Sequence, residues 1–448
     1  MTITYTYSKI RKTLDLLASF LRFNGGENMK GIIKTLAVVL LLIFAVTSFV
    51  ACNNSAPENL AGEKVVFAAD VDINGVLGAS KNVDAYYSFG ADLLTSLYDS
   101  DNAMISPLSI YLALSMVYNA AEGDTRAGMA EALGLEETEL NLFCGYLYSH
   151  FMENDKNTAI KIANSIWINK SSSVQPKQSF LDVNSTYYGA DAFRTEFNNG
   201  AIKDMNKWVE DNTDGKIKKM IDQLSADACM VLLNTVLFEG IWNNNKNGGL
   251  YEFDRVFTHA DGSEETRTFI NPFGKMGRYY YSDNAKAVRA GFKERYYFLG
   301  ILPNGTLDEY MNIFDGNELK QLLTNYETGY DVYSSVPTFE YDYSANLNDY
   351  FRSNGMGLAF DPAKADLTKG FTVPNGYNPY ISDISHKTNI ALTKHGVTAA
   401  ASTKVEVGAG SAAPVERPKM YLHLDRPFLF CVIDAQFNLP IFIGTFNG

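Results

Sequence analysis

The segment that most constrains this chain runs from Val397 to Pro414, because it combines the pattern of a strand with the composition of a loop. Up to Val407 its residues alternate, with apolar or small side chains on one face and mostly polar side chains on the other. This period of two is typical of a half-buried strand. Yet the segment follows Gly396, contains four consecutive small residues from Ala399, and ends in glycine, alanine, serine and proline, which is a loop composition.

Two interpretations fit this segment. The first is an ordinary edge strand followed by a long hairpin loop. The second is a segment that is exposed in one state of the protein and becomes a sheet strand in another. Its small leading side chains would let it pass between existing strands without a steric barrier, and its apolar face would then become buried. The flanking residues favour the second interpretation.

Both flanks resemble the hinge and reactive loop of the serpins. The family's order of hinge glycine, small-residue run, bait region and Arg-Pro-Phe strand is matched by Gly396, Ala399-Ala400-Ala401-Ser402, residues 408–418 and Arg426-Pro427-Phe428. His386-Lys387 stands where the family opens the strand before the hinge. Further matches run in register from Asp84 to the C-terminus, among them Ser106-Pro107-Leu108-Ser109-Ile110 and the spacing of Asn234, Phe238, Gly240 and Trp242.

The resemblance implies an α+β chain with the serpin fold over residues 81–448. Its expected parts are a large central sheet A, two further mixed or antiparallel sheets B and C, about eight or nine helices, and an exposed reactive loop at about 394–425. No second domain or internal repeat is visible in the sequence.

The resemblance also assigns roles to individual residues. The hinge would comprise Gly396, Val397, Thr398, Ala399, Ala400, Ala401 and Ser402. A buried polar cluster under the main sheet, which we call the shutter, would comprise Ser106, Ser109, Asn206 and His386, and the strand beside the top of the hinge, called the breach, would carry Phe238 and Trp242. Val397 departs from the Thr or Ser of inhibitory members, but a β-branched, uncharged residue should still enter a sheet.

The family cuts its loop roughly 14 to 15 residues after the hinge glycine, which predicts the bond between Gly410 and Ser411 in an extended strand. Val407 and Ala409 are neighbouring candidates, and Arg417 is the rival bait for a trypsin-like enzyme. The small side chains around Gly410 favour an elastase-like or subtilisin-like target protease. The loop is several residues longer than in typical members, and the extra length lies after the hinge.

The implied activity is inhibition of a serine-type endopeptidase as a suicide substrate. The protease cuts the reactive loop, and the acyl-enzyme is trapped when the hinge inserts into the main sheet. This mechanism needs no cofactor, and we expect a monomer. Two alternatives stay open at this point: a non-inhibitory serpin-fold protein that is cut only as a substrate, and a surface lipoprotein that binds a ligand.

Composition argues against other classes of function. A net charge of −13 disfavours a nucleic-acid partner. The four cysteines form no CxxC pair and the five histidines no HExxH motif, so we expect no metal site. A hydrolase built from Ser106 or Ser109 with His386 lacks a GxSxG elbow, and Ser106 before Pro107 is better explained as a helix cap. We therefore expect an inhibitor, not an enzyme.

The N-terminal region predicts export. Lys30 and Lys34 precede an apolar run at 36–50, which is a secretory signal too short for a comfortable membrane span. We expect residues 1–51 to be a signal peptide, with Met29 as the true start. Cys52 lies at the expected cleavage point and resembles the lipidated cysteine of bacterial lipoproteins, the alternative being a chance cysteine. Residues 52–80 would then form a polar tether, and the protein would be secreted, extracellular and lipid-anchored at the bacterial cell surface.

Replacement of the cysteine tests this anchor. Cys52→Ala removes the thiol that would carry the lipid, so the mature protein should move from the membrane fraction to the soluble fraction. Fractionation followed by immunoblotting measures the shift, and the wild-type chain is the control. A Cys52→Ala variant that stays in the membrane fraction would rule out lipidation at this residue.

Overall fold

The computed structural model describes residues 56–60, 73–152, 159–225, 228–243, 250–273, 276–293, 295–374, 377–382, 384–397 and 417–448. The chain forms two units, Met1–Ala56, of which only Ala56 is described, and Pro57–Gly448. The predicted lipidation site Cys52, the hinge beyond Val397 and the predicted cleavage region from Val407 to Ser411 lie outside the described residues.

The described strands are numbered in chain order. They are β1 Glu58–Asn59, β2 Met104–Ile105, β3 Ala159–Asn169, β4 Gln175–Pro176, β5 Asp191–Thr195, β6 Met230–Ile241, β7 Glu252–Thr258, β8 Glu264–Ile270, β9 Met276–Tyr281, β10 Ala285–Gly291, β11 Tyr296–Pro303, β12 Tyr326–Pro337, β13 Phe339–Asn346, β14 Phe371–Thr372, β15 Ser385–Leu392, β16 Gly396–Val397, β17 Lys419–His423, β18 Phe428–Asp434 and β19 Pro440–Phe446.

The described α-helices are numbered in the same way. They are α1 Ile73–Leu77, α2 Ser80–Leu97, α3 Pro107–Tyr118, α4 Gly123–Leu133, α5 Glu137–Met152, α6 Gln178–Tyr188, α7 Asn199–Asn212, α8 Leu307–Met311, α9 Gly316–Thr324 and α10 Asn348–Phe351. A π-helical turn, Arg352–Met356, and a 3-10 turn, Gly357–Phe360, follow α10.

The main sheet contains seven strands in the order β1-β5-β3-β6-β16-β15-β13. Two long antiparallel pairs form its body: β3 with β6, from Ala159↔Glu239 to Ile168↔Met230, and β13 with β15, from Phe339↔Leu392 to Asn346↔Ser385. The apolar sequence of β6 fits this central place, since a strand covered on both faces lacks polar alternation. The two-residue strand β16 lies between the two pairs.

The second sheet joins what the resemblance treats as two sheets. Its order is β2-β19-β18-β11-β10-β9-β12-β8-β7, and β17 pairs with β12 in parallel. Strand β12 pairs with β9 near its start and with β8 at its end, so sheets B and C form one hydrogen-bonded path. Strands β18 and β19 are buried at every position, which explains their uninterrupted apolar sequences.

Helix α3 lies inside the core. Ser106 caps it by accepting a hydrogen bond from the Ser109 backbone N–H through its side-chain oxygen, and Pro107 occupies the first helical position. Eleven of its residues are buried, as expected for a helix that is apolar on most of its surface. The sequence-based prediction of this cap and helix is confirmed.

The α+β architecture is confirmed, with two differences in detail. The described part of the chain holds ten α-helices, because α1, α8 and α10 are short segments that the sequence pattern did not reveal. Within the predicted tether, β1 pairs with β5 and α1 forms before residue 80. Of the strand predicted from Val397 onward, only its first residue falls within the described residues. Within the described residues, no helix is both long and apolar enough to cross a membrane.

Candidate functional site

The main sheet has a gap at its centre. Strand β6 pairs with β3 along one edge and β15 pairs with β13 along one edge, but their facing edges are joined through β16 at one end only. There Gly396 lies opposite Ile241, and Val397 lies between Gly240 and Leu392. Below Val397 these two fully described strands show no pairing with each other. We call this space the central gap.

Small cavities mark the central gap. One of about 30 Å³ is lined by Val236 and Phe238 of β6, Thr388 and Ile390 of β15, and Val397. Such a volume has room for about two water molecules. A second cavity of about 10 Å³ lies beside the polar cluster described below. The gap is narrow, so a strand can enter it only if β6 and β15 move apart to the spacing of about 9.5 Å that one intervening strand requires.

Glycine is required where the hinge enters the sheet. Gly396 has φ +152°, and a Cβ at this position would lie 1.7 Å from the Gly240 carbonyl oxygen. A Cβ on Gly240 would in turn lie 2.7 Å from the Phe292 ring and 2.8 Å from the Phe238 ring. The backbones of hinge and sheet therefore meet more closely than any side chain would allow.

The predicted breach residues hold the turn before the hinge. Trp242 is fully buried, stacks on Phe292 at 4.6 Å and donates its Nε1–H to the Thr393 carbonyl oxygen at 2.8 Å. Its backbone N–H donates to the His395 carbonyl oxygen. Phe238 packs edge-on against Phe292 at 5.3 Å. The structure thus places both predicted residues directly beneath the hinge.

A buried polar cluster lies against the gap between α3 and the sheet. The Ser106 backbone N–H donates to His386 Nε2 at 3.1 Å, and the Ser109 hydroxyl donates to the Asn234 side-chain oxygen. The Asn234 amide donates to Asn164, whose own amide donates to the Tyr188 carbonyl oxygen at 2.7 Å. These bonds link the helix to both strands that border the gap, and they pair buried polar groups with one another.

Three of the four predicted shutter residues, Ser106, Ser109 and His386, are brought together here, but Asn206 is not. It lies on α7, and its side chain bonds the segment after that helix: its oxygen accepts from Met220 and Ile221, and its amide donates to the Ile221 carbonyl oxygen. Met220 borders the smaller cavity, so Asn206 holds part of the cover over the gap. The prediction is wrong because it matched an asparagine on the covering helix, not on the strand.

Asn234 occupies the position predicted for Asn206. In the sequence it is the amide side chain within the apolar run that forms β6. An amide side chain in a strand that is buried on both faces needs a buried hydrogen-bond partner. This requirement could have identified Asn234 as a member of the cluster from the sequence. Asn164 gives a similar signal in β3, where it lies directly opposite Asn234.

The geometry of Ser106 and His386 does not support a hydrolase. His386 Nε2 is occupied by the Ser106 backbone N–H, while the Ser106 hydroxyl oxygen accepts from Ser109 as a helix cap. Both side chains are buried. Among the described residues, no group of three or more His, Cys, Asp or Glu side chains is placed to hold a metal ion.

The remaining predicted residues lie at the two ends of the reactive loop or outside the described residues. Val397 is buried between β6 and β15, and Arg417 is exposed just before β17. Thr398 to Ser402, with Val407, Ala409, Gly410 and Ser411, lie outside the described residues. The hinge therefore begins at the top of the central gap, and the described chain resumes beside the second sheet.

The fold and this site define a protein whose main sheet has two neighbouring strands joined only at one end, where the hinge glycine lies. The family model described as serpin (serine protease inhibitor) matches residues 84–448. The chain belongs to the serpin family, whose members are in general protease inhibitors and not enzymes.

Individual relatives agree with this assignment. The native-state crystal structure of the thermophilic serpin Tengpin is 32% identical, with a TM-score of 0.76 and coverage of 88% of this chain and 100% of that chain. An uncharacterized serpin-like protein of Thermococcus kodakarensis is 27% identical, covering 81% of this chain and 84% of that protein. Serpin B10 of Otolemur garnettii is 28% identical, covering 77% of this chain and 93% of that protein.

The buried histidine predicts a pH dependence of stability. Burial lowers the pKa of His386 from 6.5 to about 4, because the charged imidazolium loses its hydration in the buried site. Unfolded chains bind the proton below pH 6.5 and the folded chain only below about 4. This contribution to the free energy of unfolding is therefore fully present above pH 6.5 and decreases by about 3 kcal/mol as the pH falls to 4.

Comparison with His386→Gln isolates this contribution, since other groups titrate equally in both proteins. Denaturant unfolding of both proteins at pH 7.5, 5.5 and 4 should show a steeper loss of stability in the wild type. Parallel pH profiles for the two proteins would contradict a neutral buried imidazole.

Proposed function

We propose that this protein inhibits a serine-type endopeptidase as a suicide substrate, with residues after Val397 entering the central gap as a new strand. The observation that carries the proposal is the gap itself, with Val397 already paired at its upper end. Unpaired edges of two neighbouring strands offer N–H and C=O groups to an incoming strand. Its membership of the serpin family supports this choice over a ligand-binding lipoprotein.

The register of β16 gives the position of each inserted residue. Gly396 lies opposite Ile241 and Val397 opposite Gly240, so each step along the hinge moves one step back along β6. Continued in this register, Val407 would reach Met230, the first residue of β6. The alternating segment from Val397 to Val407 therefore has about the same length as β6, the strand beside which it would pair.

The same register sets which face becomes buried. Val397 points into the core, so every second residue after it would also point inward. These residues are the small or apolar ones: Ala399, Ala401, Thr403, Val405 and Val407. The outward face would carry the polar residues of the alternation.

Thr403 would then lie within the polar cluster. The register with β6 puts it opposite Asn234, and the register with β15, where Val397 pairs with Leu392, puts it opposite His386. An inward hydroxyl at this level can bond groups that already form a buried network. The inserted strand would thus contribute a polar side chain where the cluster offers partners, and apolar or small ones elsewhere.

The proposed chemistry is ordinary acyl transfer halted at its midpoint. The hydroxyl oxygen of the protease serine forms an ester with the Gly410 carbonyl carbon, the bond from that carbon to the Ser411 nitrogen breaks, and the freed amine takes the proton. Residues up to Gly410 then insert, a length of roughly 46 Å at about 3.3 Å per residue. The attached protease would be carried to the far end of the sheet, where its distorted site cannot hydrolyse the ester.

We also propose that the inhibitor acts outside the cell, attached through Cys52. The apolar run at 36–50 and the cysteine that follows it support this location. The small residues around Gly410 support an elastase-like or subtilisin-like target. A protein at the cell surface would intercept proteases before they reach the membrane.

Covalent trapping tests the proposal. Incubation with pancreatic elastase and with subtilisin should give a species of the summed mass that survives boiling in detergent. Ala400→Pro should convert the inhibitor into a substrate, because proline removes an N–H from the new strand between Leu237 and Asn389. The rate of loop cleavage should stay unchanged.

Glu416→Pro is the matched control, because residue 416 follows the cleaved bond and does not insert. It should trap protease as the wild type does. Equal trapping by Ala400→Pro would contradict strand insertion. If the wild type yields only cleaved product with every serine protease tried, the protein is a serpin-fold substrate and not an inhibitor.

A further inference from the structure

The outward face of the second sheet carries a stacked pair of tyrosines beside the end of the reactive loop. Tyr421 of β17 lies directly opposite Tyr333 of β12, with ring centroids 5.5 Å apart and planes inclined by 23°. Tyr421 is 65% exposed, and Tyr333 is partly exposed. Stacking between neighbouring strands holds the two rings in place. It does not explain why the Tyr421 ring is exposed to solvent.

The alternation of β17 fixes this orientation. Leu422 and Leu424 point into the core, so Tyr421 and His423 point outward. The His423 ring is anchored by a 2.8 Å hydrogen bond between its Nδ1 and the Ser335 hydroxyl. The exposed ring of Tyr421 is therefore rigidly placed between a fixed neighbour on its own strand and a stacked neighbour on the next.

Oppositely charged residues flank the pair on both sides. Lys419 lies opposite Asp331 on the side toward the loop, and Arg255 pairs with Asp425 at 2.7 Å beyond His423. The contact surface of the pair itself is aromatic. Exposed, rigid tyrosines are the residues that most often contribute large binding energies at protein interfaces.

A protease bound at the predicted cleavage site lies within reach of this pair. Ser411 precedes Tyr421 by 421 − 411 = 10 residues, which span at most about 36 Å. A protease domain of about 230 residues has a radius of gyration near 17 Å and is about 45 Å across. A protease of this width, with its cleft on the loop, can therefore reach the start of β17.

We propose that Tyr421, stacked on Tyr333, is a docking contact for the body of the target protease, on the side of the cleft that receives residues after the cut bond. It binds an apolar or aromatic rim of the protease and slows dissociation of the encounter complex before acylation. This inference rests on the proposed function, since its partner is the protease that cuts the loop. It adds a determinant of target choice that lies outside the loop sequence.

The experiment compares association rates of variants with pancreatic elastase and with subtilisin. Tyr421→Thr keeps a residue that favours strands but removes the ring, and should lower the second-order rate of complex formation about tenfold with at least one of the two proteases. Tyr421→Phe keeps the ring and should stay within about twofold of the wild type. Ile313→Thr, which changes an exposed apolar residue in the turn between α8 and α9, is the control and should have no effect.

The readout separates this inference from the proposed function. The rate of loop cleavage is measured in parallel, so the contact remains testable even if the wild type is cut without trapping. The number of inhibitor molecules consumed per trapped protease should not change in Tyr421→Thr, because the ring takes no part in insertion. Equal association and cleavage rates for Tyr421→Thr and wild type with both proteases, or an equal loss in Ile313→Thr, would overturn the docking contact.

Discussion

The structure depends on the unpaired edges at the middle of its main sheet. Strands β6 and β15 are each fully paired on one side, yet they meet only through the two residues of β16. Backbone groups in a sheet are normally paired, since leaving them unpaired in a buried place costs free energy. A protein that keeps such edges apart holds a folded state that further pairing would stabilise. The hinge begins at the upper end of this gap, the polar cluster lies against its lower part, and the segment after α7 that contains Met220 borders it.

Close packing at the top of the gap decides where a new strand begins. Gly396 passes the Gly240 carbonyl at a distance that excludes a Cβ, and Trp242 fixes the preceding turn through Thr393. This end of the hinge is therefore held in register before any cleavage. The proposed insertion would need only to continue an existing pairing, which avoids the cost of nucleating a strand at an arbitrary position.

The lower part of the gap is held by side chains instead. His386 and Asn234, on the two bordering strands, are both tied to helix α3, through Ser106 and Ser109. Separation of the strands must rearrange these bonds or the helix that holds them, so the cluster resists opening. Under the proposed mechanism it would have two satisfied arrangements, one closed and one with an inserted strand.

The sequence predicted much of this arrangement because its patterns follow directly from local physics. The helix cap at Ser106 and the apolar strand β6 each have a local cause in the chain. Asn206 was assigned incorrectly because the resemblance was matched to an asparagine on α7 and not to Asn234 on β6. The partners of Asn206 are Met220 and Ile221, whereas the cluster joins residues far apart in the chain.

The short elements β1 and α1 were missed for a related reason. Neither is long enough to show a period, and β1 forms only because β5 offers an edge. The register that relates Val397 to Gly240 likewise depends on a pairing between distant segments, so no local pattern contains it.

The most direct test of this account is the thermal midpoint of the protein before and after a single cut in the reactive loop. If the segment after Val397 fills the central gap once it is free, the cleaved protein should melt far above the intact one, because the new strand adds ladder hydrogen bonds and buries an apolar face. A nick in an ordinary surface loop leaves stability unchanged or lowers it. Equal or lower melting of the cleaved protein would show that the gap does not accept the hinge.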